Sequence, residues 1–134
     1  MTSKFRLVWI TLAFGFAAVP LSLLAHHGAA IYDETKAVTV TGVVTSWLWA
    51  NPHCLLEFDV TDAKGNTVHW SAEVSNPPDM IAKGWSRKMF KAGDEAVLTM
   101  IVAKSGEPIG RIVRAVVDGK TFEGFGRVPG EAKK

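Results

Sequence analysis

Between Val38 and Val117 apolar and polar residues alternate in five stretches, and that period of two sends successive side chains to opposite faces of a strand. The first, Val38 to Trp49, is rich in β-branched and aromatic residues and is interrupted by Gly42, which predicts a bulge or sharp bend. Asn51-Pro52 is a turn signal. Cys54 to Thr61 then alternates with Cys54, Leu56, Phe58 and Val60 on one face, and Asp62 to Asn66 has the composition of a hairpin connection. Thr67 to Val74 follows, with Val68, Trp70, Ala72 and Val74 facing inward.

The period changes at Asn76-Pro77-Pro78-Asp79, which offers a capping side chain, a proline at the first helical position and an acid in the first turn. A short helix is expected to about Lys83, stopping at Gly84, with Ser86 to Phe90 adding a further turn. Glu95 to Ala103 is a strand apolar on both faces, and Arg111 to Val117 is the last, closed by Asp118-Gly119-Lys120. The segment from Gly124 onward is expected to fray. Three meandering strands, one short helix between strands 3 and 4, and two further strands is the order of a mainly β, five-stranded OB-like barrel. A β-sandwich would want about seven strands.

Ahead of this pattern lies one long apolar run. Lys4 and Arg6 precede an uncharged stretch, Leu7 to Leu24, that exits at Ala25: the form of a secretory signal peptide over residues 1–25. A single domain over 26–134 follows. Leu23 is large for the third-last position of a cleavage site, and a cut after Ala30, with Gly28 in that place, also fits. The run is close to the ~18 residues that span a bilayer, so an uncleaved membrane anchor is the alternative; Gly15 and Pro20 within it favour a signal.

Removing residues 1–25 takes away Lys4 and Arg6 and leaves 109 of the 134 residues, with 13 basic against 13 acidic. A formally neutral domain lacks the basic surface that phosphate binding needs, so no nucleic-acid partner is expected. Cys54 is the only cysteine, which excludes an intrachain disulfide, and its place in the apolar alternation predicts a buried thiol.

Candidate chemistry sits in two places. A mature chain beginning His26-His27 would carry a free α-amino nitrogen beside an imidazole, a chelate to which His53 or His69 could add nitrogen ligands. Copper, or another transition metal, suits such a nitrogen-rich set. The second place is the exterior of strands two and three, where this fold commonly binds ligands. Alternation puts His53, Leu55, Glu57 and Asp59 there, with Thr67, His69, Ser71 and Glu73 opposite them. His53–Glu73 and His69–Glu57 pairs across the ladder are geometrically possible. Trp47 and Trp49 join this face if the bend at Gly42 does not reverse their parity, making a docking surface for a protein or glycan. Trp85 is expected as a core plug beneath the helix. No catalytic order of Ser, His and Asp and no nucleophile elbow is visible, so an enzyme is not expected.

Ala25-His26-His27, Tyr32-Asp33, Gly42, Trp49-Ala50-Asn51-Pro52-His53, Glu73, Gly84-Trp85, Gly93-Asp94 and Ala103-Lys104-Ser105-Gly106 together resemble a family of secreted bacterial proteins, domain of unknown function 6152. The resemblance implies export to the periplasm or medium, a small β domain and no assigned activity, with a cut after Ala25. It departs at Gly28-Ala29-Ala30, where a serine and a bulkier residue are expected. Intact mass of the exported protein should therefore correspond to a chain starting at His26; a full-length, membrane-fractionated product would refute the cleavage.

Overall fold

The computed structural model describes residues 27–131, without the side chains of His27 and Ala29. Residues 1–25, expected as a signal segment, and His26 lie outside the described residues. A single turn of helix, α1 (His27–Ala30), leads into β1 (Tyr32–Leu48), β2 (Leu55–Thr61) and β3 (Thr67–Glu73). After these come α2 (Pro77–Ala82), β4 (Glu95–Ala103), β5 (Ile109–Val117) and β6 (Lys120–Glu123). The sheet runs β3-β2-β1-β4-β5-β6, and a parallel pairing of β3 with β5 closes the first five strands into a barrel. Among the described residues no helix is long and apolar enough to cross a membrane.

The five barrel strands and the helix between β3 and β4 are those the alternation predicts. β1 begins at Tyr32 rather than Val38, because one 17-residue strand serves two neighbours. Ala37 to Val43 pair with β4, and Val43 to Leu48 pair with β2. Its pairing with β2 is irregular between Val44 and Ser46 and its pairing with β4 between Tyr32 and Ala37, neither at Gly42. Gly42 instead makes room for a side chain. The Phe58 ring lies over it, and a Cβ there would fall 2.5 Å from Phe58 Cδ2. The bulge exposes Thr45 and Ser46 in succession, so the parity beyond it reverses. Trp47 and Trp49 consequently turn inward, and they do not belong to the outer face.

Inside the barrel Val44, Cys54, Leu56, Phe58, Ala72, Val74, Leu98, Met100, Ile112 and Ala115 form the core. One end is closed by aromatics. Trp47 packs 5.6 Å from Trp49, 6.0 Å from Trp85 and 5.2 Å from Phe90, ring centroid to centroid. The chain reaches this end because α2 is short: Asn76 caps it by accepting from the Asp79 amide, and Gly84, at φ +84°, turns it off. Trp85 follows directly into the core as expected, donating from Nε1 to Glu123 O at 2.8 Å. Val68, expected inward, is instead exposed on the β2–β3 hairpin.

The segment after Val117 departs most from expectation. Asp118-Gly119 is the turn of a further hairpin, and β6 pairs with β5 outside the closed barrel. Gly124 and Phe125 then donate their amides to Val113 O and Ile112 O, so the chain expected to fray is anchored as far as these residues. Val128 joins Tyr32, Ile101, Ile109 and Val113 in a second, smaller apolar cluster. This explains why β4 is apolar on both faces: Leu98 and Met100 serve the barrel interior, Ile101 the outer cluster.

Gly42→Ala should destabilise the fold by about 1–3 kcal/mol, the usual cost of overpacking, read as a lower urea midpoint. Pairing it with Phe58→Leu should cost less than the sum of the two single changes, since the smaller side chain vacates the clash. An unchanged midpoint for Gly42→Ala would contradict this packing.

Candidate functional site

The outer face of β2 and β3 carries its polar residues in register: Asp59 is paired with His69, Glu57 with Ser71 and Leu55 with Glu73. Two separate networks result. In the first, His69 Nδ1 lies 2.7 Å from Asp59 Oδ1 and its Nε2 3.1 Å from Glu57 Oε2. Glu57 also accepts from Ser71 Oγ at 2.9 Å. Ionised carboxylates only accept, so contact with both ring nitrogens calls for the doubly protonated imidazolium. Accordingly the hydrogen bond to Asp59 pushes the His69 pKa above its ordinary 6.5; desolvation opposes it, and the charges of Asp59 and Glu57 add to it.

The second network begins at His53, directly after the cis Asn51–Pro52 peptide. The ladder continues past β2 through the mutual backbone bonds of Cys54 with Val74 and Ser75, which brings His53 alongside Glu73. His53 Nδ1 donates to Glu73 Oε2 at 2.6 Å. The other oxygen, Oε1, accepts from Arg111 Nε at 3.0 Å and Nη2 at 2.9 Å. Arg111 stands opposite Glu73 because β3 and β5 pair there in parallel register. Its guanidinium lies between two rings, 4.5 Å from the Tyr32 centroid and 4.3 Å from that of Phe125. Burial and the neighbouring Glu73 carboxylate, only partly offset by Arg111, push the Tyr32 phenol up to about 12. Tyr32 therefore stays neutral at physiological pH.

Beside this assembly is an open cavity of about 190 Å³, lined by Glu34, Ile101, Arg111, Phe125, Gly126 and Arg127. On the other flank of Phe125 a wider depression of about 370 Å³ is lined by Ser75, Asp79, Ala82, Lys83 and Gly126. Phe125 also meets His53 edge-on, with centroids 6.4 Å apart. A single aromatic ring thus touches the cation, the histidine and both hollows.

The expected outer face is brought together for His53, Glu57, His69 and Glu73, and both pairs that the ladder allows are made. Trp47 and Trp49 are absent from it, for the parity reason above; Trp49 is buried and Trp47 donates from Nε1 to Ser86 O at 3.2 Å. Of the expected metal set His26, His27, His53 and His69, only the last two have side chains among the described residues. His53 and His69 each point a ring nitrogen at a carboxylate in different networks, His26 lies outside the described residues, and His27 is described only in its backbone. Among the described residues no group of three or more His, Cys, Asp or Glu is arranged to hold a metal ion. Cys54 is buried as expected, and burial raises its thiol pKa.

Tyr32, Arg111, Phe125 and Arg127 are not foreseen as site residues by the alternation. Arg111 carried a signal nonetheless, as one of two charges, with Arg114, in a strand whose other residues are apolar.

Residues 15–112 match a family described as "Family of unknown function (DUF6152)". The chain belongs to that family. No curated protein and no solved structure matches it. Within the DUF6152 match, Tyr32 and Glu73 meet Arg111, and His53 joins them through Glu73; the sequence resemblance rests in part on these three residues.

A histidine whose pKa is raised on folding stabilises the fold below its unfolded value, and that contribution fades as pH rises through the folded value. His69 should accordingly titrate above 6.5 by NMR, and Asp59→Asn should bring it back toward 6.5. A wild-type value at or below 6.5 would contradict the imidazolium bridge.

Proposed function

We propose that this DUF6152 protein is an exported OB-like barrel that binds a small ligand rather than a catalyst, with the ligand seated beside Arg111. One observation carries the reading: a nearly buried guanidinium, clamped between two rings and fixed on Glu73, lines an open cavity that also has apolar walls. Small-ligand sites combine an apolar concavity with a few fixed polar groups, and this is such a combination. Pre-organisation of that kind lowers the ordering cost that binding must otherwise meet. Against catalysis stands the placement of the most nucleophilic neighbour: the Cys54 thiol is turned into the core while His53 faces outward.

The apolar leader ending at Ala25 supports export. Copper held at a free His26 terminus, with His27, is a distinct proposal that needs cleavage at that bond; it draws nothing from the cavity. Docking of a protein or glycan on the outer β2–β3 face is the other, now resting on His53, Glu57, His69 and Glu73 without the tryptophans.

A fragment library added to the ¹⁵N-labelled mature protein should move the amides of Glu34, Ile101, Phe125, Gly126 and Arg127 together and saturably. A library that leaves them still would overturn the reading. Titration with Cu(II) separates the metal proposal: a single site lost on His26→Ala favours the terminal chelate, and its persistence in that variant excludes it.

A further inference from the structure

The cavity has a chemical polarity of its own, set by how Arg111 divides its donors. Nε and Nη2 both go to Glu73 Oε1, and no hydrogen bond from Nη1 is made among the described residues. The side chain is only 7% exposed. Even so, no buried side-chain nitrogen or oxygen among the described residues is left without a partner, so Nη1 retains access to solvent. Arg111 lines this cavity with its few exposed atoms. Glu73 does not take that edge: Oε1 accepts from Nε and Nη2 of Arg111, and Oε2 from His53. A second cation, Arg127, lines the same hollow.

The apolar side chains of the wall are Ile101 and Phe125. At about 30 Å³ per water in the liquid, 190 Å³ is room for roughly six waters, or for a small planar organic ion. From the unspent guanidinium edge, the second arginine and the apolar wall we infer that the site takes a small carboxylate carried on an apolar or aromatic body. The carboxylate meets Arg111 Nη1 and Arg127, and the body lies against Phe125 and Ile101. A guanidinium's planar fork suits that group better than a point charge would. Glu34, at the same cavity, is the one lining acid and works against an anion.

This inference rests on the small-ligand reading and narrows it to one ligand class. The test uses three probes of nearly equal shape, benzoate, benzyl alcohol and benzylamine, titrated into the mature protein at constant ionic strength. Chemical shifts of the Ile101, Phe125 and Arg127 amides report binding. Benzoate should saturate and the other two should bind at least about tenfold more weakly. Arg127→Gln should weaken benzoate by about two- to fivefold, the range of a solvent-screened ion pair. Glu34→Gln should tighten it by a similar factor. Arg111→Lys, which keeps the charge but loses the fork, should lose saturable binding while retaining the near-ultraviolet dichroism of the fold. If that variant unfolds, Arg127→Gln and Glu34→Gln decide the matter, since neither residue is fixed in the core.

Equal or tighter binding of benzyl alcohol or benzylamine would overturn the carboxylate assignment and leave the small-ligand reading standing. Benzoate affinity unchanged in both the Arg127 and Glu34 variants would also overturn it. If none of the three probes moves these amides, and the fragment library does not either, the small-ligand reading falls with it.

Discussion

The parallel pairing of β3 with β5 is the contact on which the rest of the structure depends. Every other pairing in the barrel is antiparallel and joins strands along an open sheet; this one converts the sheet into a closed surface. It spans only three residue pairs, Ser71 with Ile109, Ala72 with Gly110 and Glu73 with Arg111. Gly110, paired with Ala72 at that seam, also packs closely on β4, where a Cβ would lie 3.0 Å from the Met100 sulfur. Closure removes two strand edges that would otherwise present unpaired backbone groups. It also creates the Glu73–Arg111 ion pair, so the step that completes the core assembles the candidate site.

Burying an arginine is costly unless its charge is met and its donors are satisfied. Here a carboxylate takes two donors and two aromatic faces cover the planar cation, one from the start of β1 and one from the segment after β6. The three segments that meet at Arg111 are therefore far apart in the chain and near only in the closed barrel. The chain beyond β6 matters for the same reason. By placing Phe125 over Arg111 and Val128 against Ile101, it supplies an outer layer without which the apolar second face of β4 would stand in water.

The other end of the barrel obeys a different constraint. A bulge in β1 inverts the parity of the residues that follow it, and the two tryptophans pass from the surface to the interior. There Trp47 meets Trp49 and also Trp85 and Phe90, delivered by the short helix and the turn after it. The paired charged side chains are thus concentrated at the β3–β5 seam and the outer β2–β3 face, while most of the tryptophans close the barrel.

The strand order, the helix with its Asn76 cap and Gly84 stop, the buried Cys54 and Trp85, and the outward row of His53, Glu57, His69 and Glu73 were all legible in the sequence. Each follows from a local period or a local cap, which neighbouring residues determine among themselves. The inward turn of Trp47 and Trp49 was not legible, because a bulge is decided by how β1 meets β2 and one slipped residue reverses every side chain beyond it. Nor was the role of Arg111. Its sequence neighbours marked it only as a charge in an apolar strand, and its partners Tyr32, Glu73 and Phe125 come from three other parts of the chain. What they form together depends on closure of the barrel, a long-range contact that no window of local sequence contains.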